Sequence, residues 1–205
     1  MKIKNFFVKE ANEFKQIYND INGIFNVEKG LPEQVFNDRF SNFLCEEFDW
    51  TMSDKFWDLL KTLAIKSNDD QIFMMVLDPN PVDYYHKEFN YYSCLKFPIS
   101  IVNTEYFETL EIGPDESPAD AILYNSFTIV WTSPSMKWGI WGQREYGVSI
   151  IAINNELDYK EFLPFLNLWK TADEAMNGWM YLEFKDQINP QKFKELFIKN
   201  YSNSV

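Results

Sequence analysis

His86 is the chain's single histidine. It stands in the run Asp83-Tyr84-Tyr85-His86-Lys87-Glu88, where an imidazole beside Asp83 has the makings of a general base. The alternative reading is a surface or half-buried histidine on a short helix. A serine or cysteine nucleophile would have to share that one imidazole. An HExxH zinc site is ruled out, as is any histidine-rich metal site. The chain contains no GxSxG elbow, no Walker A loop and no GxGxxG after a strand. Cys45 and Cys94 fit neither CxxC nor zinc-ligand spacing and read as two buried, reduced thiols. Carboxylates remain. Two acids at a set separation hydrolyse glycosides, and Asp69-Asp70 and Asp115-Glu116 offer hard oxygen ligands, but the EF-hand spacing is absent. The residues therefore predict no catalytic group, no metal and no cofactor.

The acids are unevenly placed. Of a formal net charge of -12, residues 67–136 hold eleven acids against two bases, Lys87 and Lys96, which leaves -9. Residues 97–136 contain no Lys or Arg at all. Inside that window lie Glu105, Glu108, Glu111, Asp115, Glu116 and Asp120, with Tyr106 and Phe107 between them. One reading is a solvated face that aids solubility. The other is a docking surface for a basic protein, drawn in by the single-sign field, with Tyr106 or Phe107 as apolar anchors inside a charged rim. Nucleic acid is not an expected partner, because its binding needs clustered Lys and Arg.

A second group is aromatic. Trp131, Trp138 and Trp141 fall on neighbouring predicted strands, and Gly139 and Gly142 flank Trp141 so as to leave its rings uncrowded. They read either as a sheet face covered by helices or as a platform for sugar or protein. Arg144 and Glu145 sit at a turn, where Arg144 can stack on Trp141. Trp141 and Arg144 join the eight residues of the acidic stretch as the candidate partner-binding set.

The elements that would position these residues follow from hydrophobic period. Residues 10–22 carry Phe14, Ile17, Tyr18 and Ile21 on one helical face, with Gly23 as a stop. Residues 32–48 read as a second helix through Val35, Phe36, Phe40, Phe43 and Leu44, and 53–66 as a third, capped by Ser53. The run 71–77 reads as a buried strand. Prolines break up 78–120, leaving short helices near 82–90 and 104–111 and a turn of helix at 117–120. Three strands follow, near 126–132, 137–142 and 146–153, separated by polar turns of hairpin length. Helical segments are expected again at 158–169, 171–177 and 190–200, with 179–184 a strand or a helix. The fold class is α+β: a small antiparallel sheet with N- and C-terminal helices, in one domain over residues 1–205.

Aromatic residues make up 18% of the chain, enough for a core with some left for an interface. No apolar run reaches the ~20 residues of a membrane span. The start, MKIKNFFVKEANEFK, has no apolar h-region. These features predict a cytosolic protein with no membrane contact.

The strand, Ser-Pro turn and following KWGIWGQREYGVSIIA, within residues 126–153, resemble the sheet of immunity proteins from bacterial contact-dependent or polymorphic toxin systems. The resemblance implies a small, acidic, cytosolic protein that binds a cognate toxin domain and occludes its active site. Many such domains are nucleases and basic, so acids on the immunity protein would stand in for phosphates. The family has no shared binding residues to transfer. Two other readings stand beside it: a carbohydrate-binding protein or hydrolase with a pocket lined by Trp131, Trp138 or Trp141, and a non-catalytic subunit of an assembly.

Overall fold

Alternation along 126–153 becomes the middle of a larger sheet. The computed structural model describes residues 6–114, 117–183 and 190–202. Among these, six strands form: β1 (Phe40–Glu47), β2 (Gln71–Asp78), β3 (Cys94–Pro98), β4 (Thr128–Thr132), β5 (Trp138–Gln143) and β6 (Val148–Asn154). They lie in the order β1-β6-β5-β4-β2-β3, and each neighbouring pair is antiparallel. With helices before, between and after the strands, the chain is α+β in one domain, as its pattern predicts.

Both faces of the sheet are covered, so successive strand residues enter different cores. One face carries Ile129, Trp131, Trp138, Ile140, Ile151 and Ile153 under α3 (Phe56–Ser67) and α5 (Asn103–Leu110). The other carries Val130, Trp141, Val148, Ile150 and Ala152 under α1 (Ala11–Asn22), α6 (Ala172–Asn177) and α8 (Pro190–Tyr201). In α1 the buried residues are Phe14, Ile17 and Ile21, and Gly23 ends the helix by donating its N–H to the carbonyls of Asn19 and Asp20. Each such burial contributes about 2 kcal/mol. Phe193, Phe197 and Tyr201 do the same for α8. The short α6 carries a reciprocal cap: Thr171 Oγ1 accepts from the Glu174 N–H at 3.3 Å while the Glu174 carboxylate accepts from the Thr171 N–H at 2.8 Å.

Gly139 has a different task from the one its sequence context suggests. A Cβ there would lie 2.7 Å from Phe25 and 2.8 Å from Ile24. The glycine admits the segment after α1 against the sheet; it does not uncover Trp141.

The predicted helix at 32–48 is a loop followed by β1 and the single turn α2 (Phe48–Thr51). A shift of register between Phe40 and Asn42 explains the misleading pattern. A bulge adds one residue to the strand, so Phe40 and Phe43 share a core although they stand three apart. That spacing imitates a helix. The short strand β3 is a further departure from the predicted pattern, since its five residues, the last of them a proline, show too little alternation. Ser53 does not cap α3. Its hydroxyl donates to the Trp50 carbonyl instead, and Lys55 occupies the cap position with no side-chain bond. Residues 158–169 form two 3-10 turns, Tyr159–Glu161 and Leu163–Phe165, which bury Phe162, Leu166 and Trp169 but leave Phe165 exposed. The short helix predicted near 82–90 is a π-helical segment, Pro81–His86, running into the single turn α4 (Lys87–Phe89), and Met180–Glu183 are the helix α7.

Both sheet edges are closed by short pairings, which blocks edge-to-edge association. On β1, Cys45 and Lys170 exchange two backbone hydrogen bonds of 2.7 Å. On β3, Val8 donates to Cys94 at 2.8 Å and Lys96 donates to Phe6 at 2.9 Å.

Burial pushes the phenols of Tyr85, Tyr106 and Tyr201 well above their ordinary value of 10.0. Their stabilising effect is complete below pH 10 and is lost as the pH rises beyond it, because only the unfolded chain then releases the protons. Each phenol withdraws about 1.4 kcal/mol per pH unit in that range. Alkaline unfolding followed by circular dichroism, beside absorbance titration of tyrosinate, should show these groups ionising together with loss of structure. Free titration in a folded chain would contradict it.

Candidate docking surface

Among the described residues, the predicted partner-binding set does not form one patch. Glu108 and Glu111 are exposed at the C-terminal part of α5. Glu105 is half-buried, and its carboxylate accepts from the Val102 N–H at 3.1 Å, closing the first turn of the helix. Phe107 is half-buried. Tyr106 cannot be an anchor: it is fully buried and stacks on Trp57, ring centroids 5.3 Å apart. Asp115 and Glu116 lie outside the described residues.

The tryptophans are core. Trp131, Trp138 and Trp141 are at most 1% exposed, so these three form no aromatic platform and a sugar site built on them is excluded. Arg144 stacks on Phe48, 4.6 Å from the ring centroid, rather than on Trp141. His86 lies face to face with Tyr92 at 4.3 Å, and Tyr92 stacks in turn on Phe14 at 4.0 Å. The imidazole therefore serves as one ring of a stack.

Asp120 and Arg144 prove to be the fasteners of a loop, residues 120–127, which leads from the 3-10 turn Pro118–Asp120 into β4. The Asp120 carboxylate accepts from Tyr84 Oη at 2.6 Å, from Asn125 Nδ2 at 2.5 Å and from the Ser117 hydroxyl. Burial acts to raise its pKa, but the hydrogen bonds from Ser117, Tyr84 and Asn125 outweigh it and hold the carboxyl below its ordinary value. Tyr84 and Tyr85 belong to a π-helical segment, Pro81–His86, whose start is capped by the Asn80 side chain accepting from Val82 and Asp83. The Tyr85 hydroxyl reaches the carbonyls of Asp120 and Asn125 at 3.1 and 2.9 Å. From the other side, Arg144 Nε donates to the Ser126 carbonyl and Nη2 to the Leu123 carbonyl, both at 2.8 Å. Burial lowers the Arg144 pKa, while the Asp49 carboxylate works against that shift. Leu123 N–H also donates to the last carbonyl of α5, Leu110, at 2.9 Å.

A loop tied at this many points is preorganised. It presents Tyr124, 60% exposed, and Phe127, 49% exposed, and the neighbouring segment adds Val82 at 44%. Phe127 donates its N–H to Asp78 and accepts from the Arg144 N–H, so it stands between the ends of β2 and β5. Asp78, Asp83 and Glu145 are exposed. Acid-bordered aromatics are thus present, but at one end of the sheet and not along 105–111. Phe127 falls on the same strand face as Ile129 and Trp131 by alternation, and only its position at the strand's start sets it apart. Nothing in the sequence distinguishes Tyr124 from a core tyrosine.

A groove of about 670 Å³ lies elsewhere, between Phe7 and Lys9 on one side and Ile112 and Pro114 on another. Among the described residues no three His, Cys, Asp or Glu side chains gather as a metal site requires, and no helix is long and apolar enough to cross a membrane. No family model, curated protein or solved structure matches the chain.

Proposed function

We propose that this chain is an immunity protein that binds a basic toxin domain and covers its active site. The observation that carries the reading is the 120–127 loop, which is fixed by Asp120 and Arg144 and holds Tyr124 and Phe127 out at an acid-bordered end of the sheet. Rigid aromatics surrounded by charge are what a binding surface uses for affinity. The base-free window that contains the loop supplies the steering field. The hairpin's resemblance to immunity-protein sheets points to the same class of partner.

The reading expects a large secreted protein encoded directly beside this gene, and the test uses that protein's C-terminal domain. Co-production should rescue growth of cells that make the domain, and the purified pair should bind. Tyr124→Ala should weaken binding about 30-fold, the scale of an aromatic hot spot. Glu108→Lys with Glu111→Lys should slow association about tenfold at low salt, with the difference shrinking as salt rises. Absence of rescue and of binding would end the proposal. Unchanged affinity in Tyr124→Ala would place the interface elsewhere.

A further inference from the structure

A pocket of about 350 Å³ opens beside Phe127, lined by Asp78, Thr128, Gln143, Arg144 and Glu145 as well. Two of its polar side chains, Gln143 and Arg144, are already engaged. Gln143 Oε1 accepts from the Leu31 N–H at 3.2 Å, and Arg144 is turned away to the carbonyls of Ser126 and Leu123 and onto the Phe48 ring. What remains facing outward is a half-exposed benzene ring with two exposed carboxylates, one from the end of β2 and one from the turn after β5. A ring face attracts a cation, and flanking carboxylates match its hydrogen-bond donors. A planar guanidinium meets both demands at once, whereas an ammonium is a compact point charge that is more strongly hydrated.

We infer that this pocket is the seat of one arginine side chain from the basic partner, its guanidinium stacked on Phe127 and hydrogen-bonded to Asp78 and Glu145. The inference rests on the immunity reading for the identity of the partner, though not for the chemistry of the pocket. It makes Phe127, Asp78 and Glu145 specificity residues, none of which belongs to the acidic stretch 105–120.

The experiment needs no toxin. The full chain, isotope-labelled, is titrated with Nα-acetyl-arginine amide, Nα-acetyl-lysine amide and uncharged Nα-acetyl-citrulline amide while amide shifts are followed by NMR. The arginine derivative should give saturable shifts at Asp78, Phe127, Thr128 and Glu145. The lysine derivative should bind at least about threefold more weakly, and citrulline should leave the pocket unmoved. Phe127→Leu keeps an apolar wall but removes the ring, and it should abolish the preference for arginine over lysine. Asp78→Asn with Glu145→Gln should remove the binding itself. Equal shifts from arginine and citrulline would overturn the inference, as would arginine shifts spread over all exposed acids with none at Phe127. A pocket that takes arginine in a chain that fails to rescue toxin-producing cells would leave the pocket standing and remove the immunity reading. Rescue with an inert pocket would do the reverse.

Discussion

Replacing Arg144 with methionine lowers the unfolding free energy by about 3 kcal/mol. The guanidinium donates to the carbonyls of Leu123 and Ser126 and, at 3.3 Å, to the Ser126 hydroxyl. It also covers the Phe48 ring. Methionine keeps part of that apolar cover but has no donor. Ser126 is fully buried, so its carbonyl cannot turn to water, and an unsatisfied buried acceptor costs about 1–3 kcal/mol. Leu123 is half-buried and recovers some hydration. Lysine in place of Arg144 keeps the charge yet cannot reach two carbonyls in a fixed fork, and it should recover less than half of the loss. Urea unfolding gives the energies. Hydrogen exchange locates them, with faster exchange at Leu123 and Phe127 and little change in α8. An unchanged urea midpoint in Arg144→Met would show that the arginine does not hold the loop. The same variant should weaken partner binding, because Tyr124 and Phe127 must then be ordered at the moment of association.

Trp57→Ala has a larger effect, about 3–5 kcal/mol, the usual range for emptying a buried indole site. Trp57 is 1% exposed, stacks on Tyr106 and meets Phe97 edge-on at 5.7 Å. Its Nε1 donates to the Ile101 carbonyl at 3.0 Å. Through these contacts α3 holds the start of α5, and hence Glu105, Glu108 and Glu111. Trp57→Phe keeps most of the volume and loses the hydrogen bond, so it should cost about 1–2 kcal/mol. The two variants together separate packing from hydrogen bonding. Equal losses in both would assign the whole effect to the Ile101 carbonyl, and losses below about 1 kcal/mol in both would mean that the site collapses without strain.

Sequence period was informative where one rule governed a whole segment. The strands β4, β5 and β6 alternate cleanly because each face of the sheet packs against its own layer. α1 and α8 show helical stripes because each buries a single face. β1 misled, since a bulge puts Phe40 and Phe43 three apart on one side of a strand, and that spacing belongs equally to a helix. Residue type misled at Tyr106 and Trp141. Tyr106 follows Glu105 directly and Trp141 stands three residues before Arg144, yet the elements that carry them turn those side chains into the core.

The sequence by itself determined the α+β architecture, the four inner strands and the concentration of acids over 67–136, because alternation and charge count are properties of the chain alone. Only the tertiary structure decided which residues meet water. Period assigns a side chain to a face but does not say how far the covering layer extends. Ile129 and Trp131 lie on the same face as Phe127 and are wholly buried, whereas Phe127, at the strand's start, is half exposed. The surface consequently joins the ends of β2 and β5 with the loop before β4, residues far apart in sequence that antiparallel pairing brings side by side.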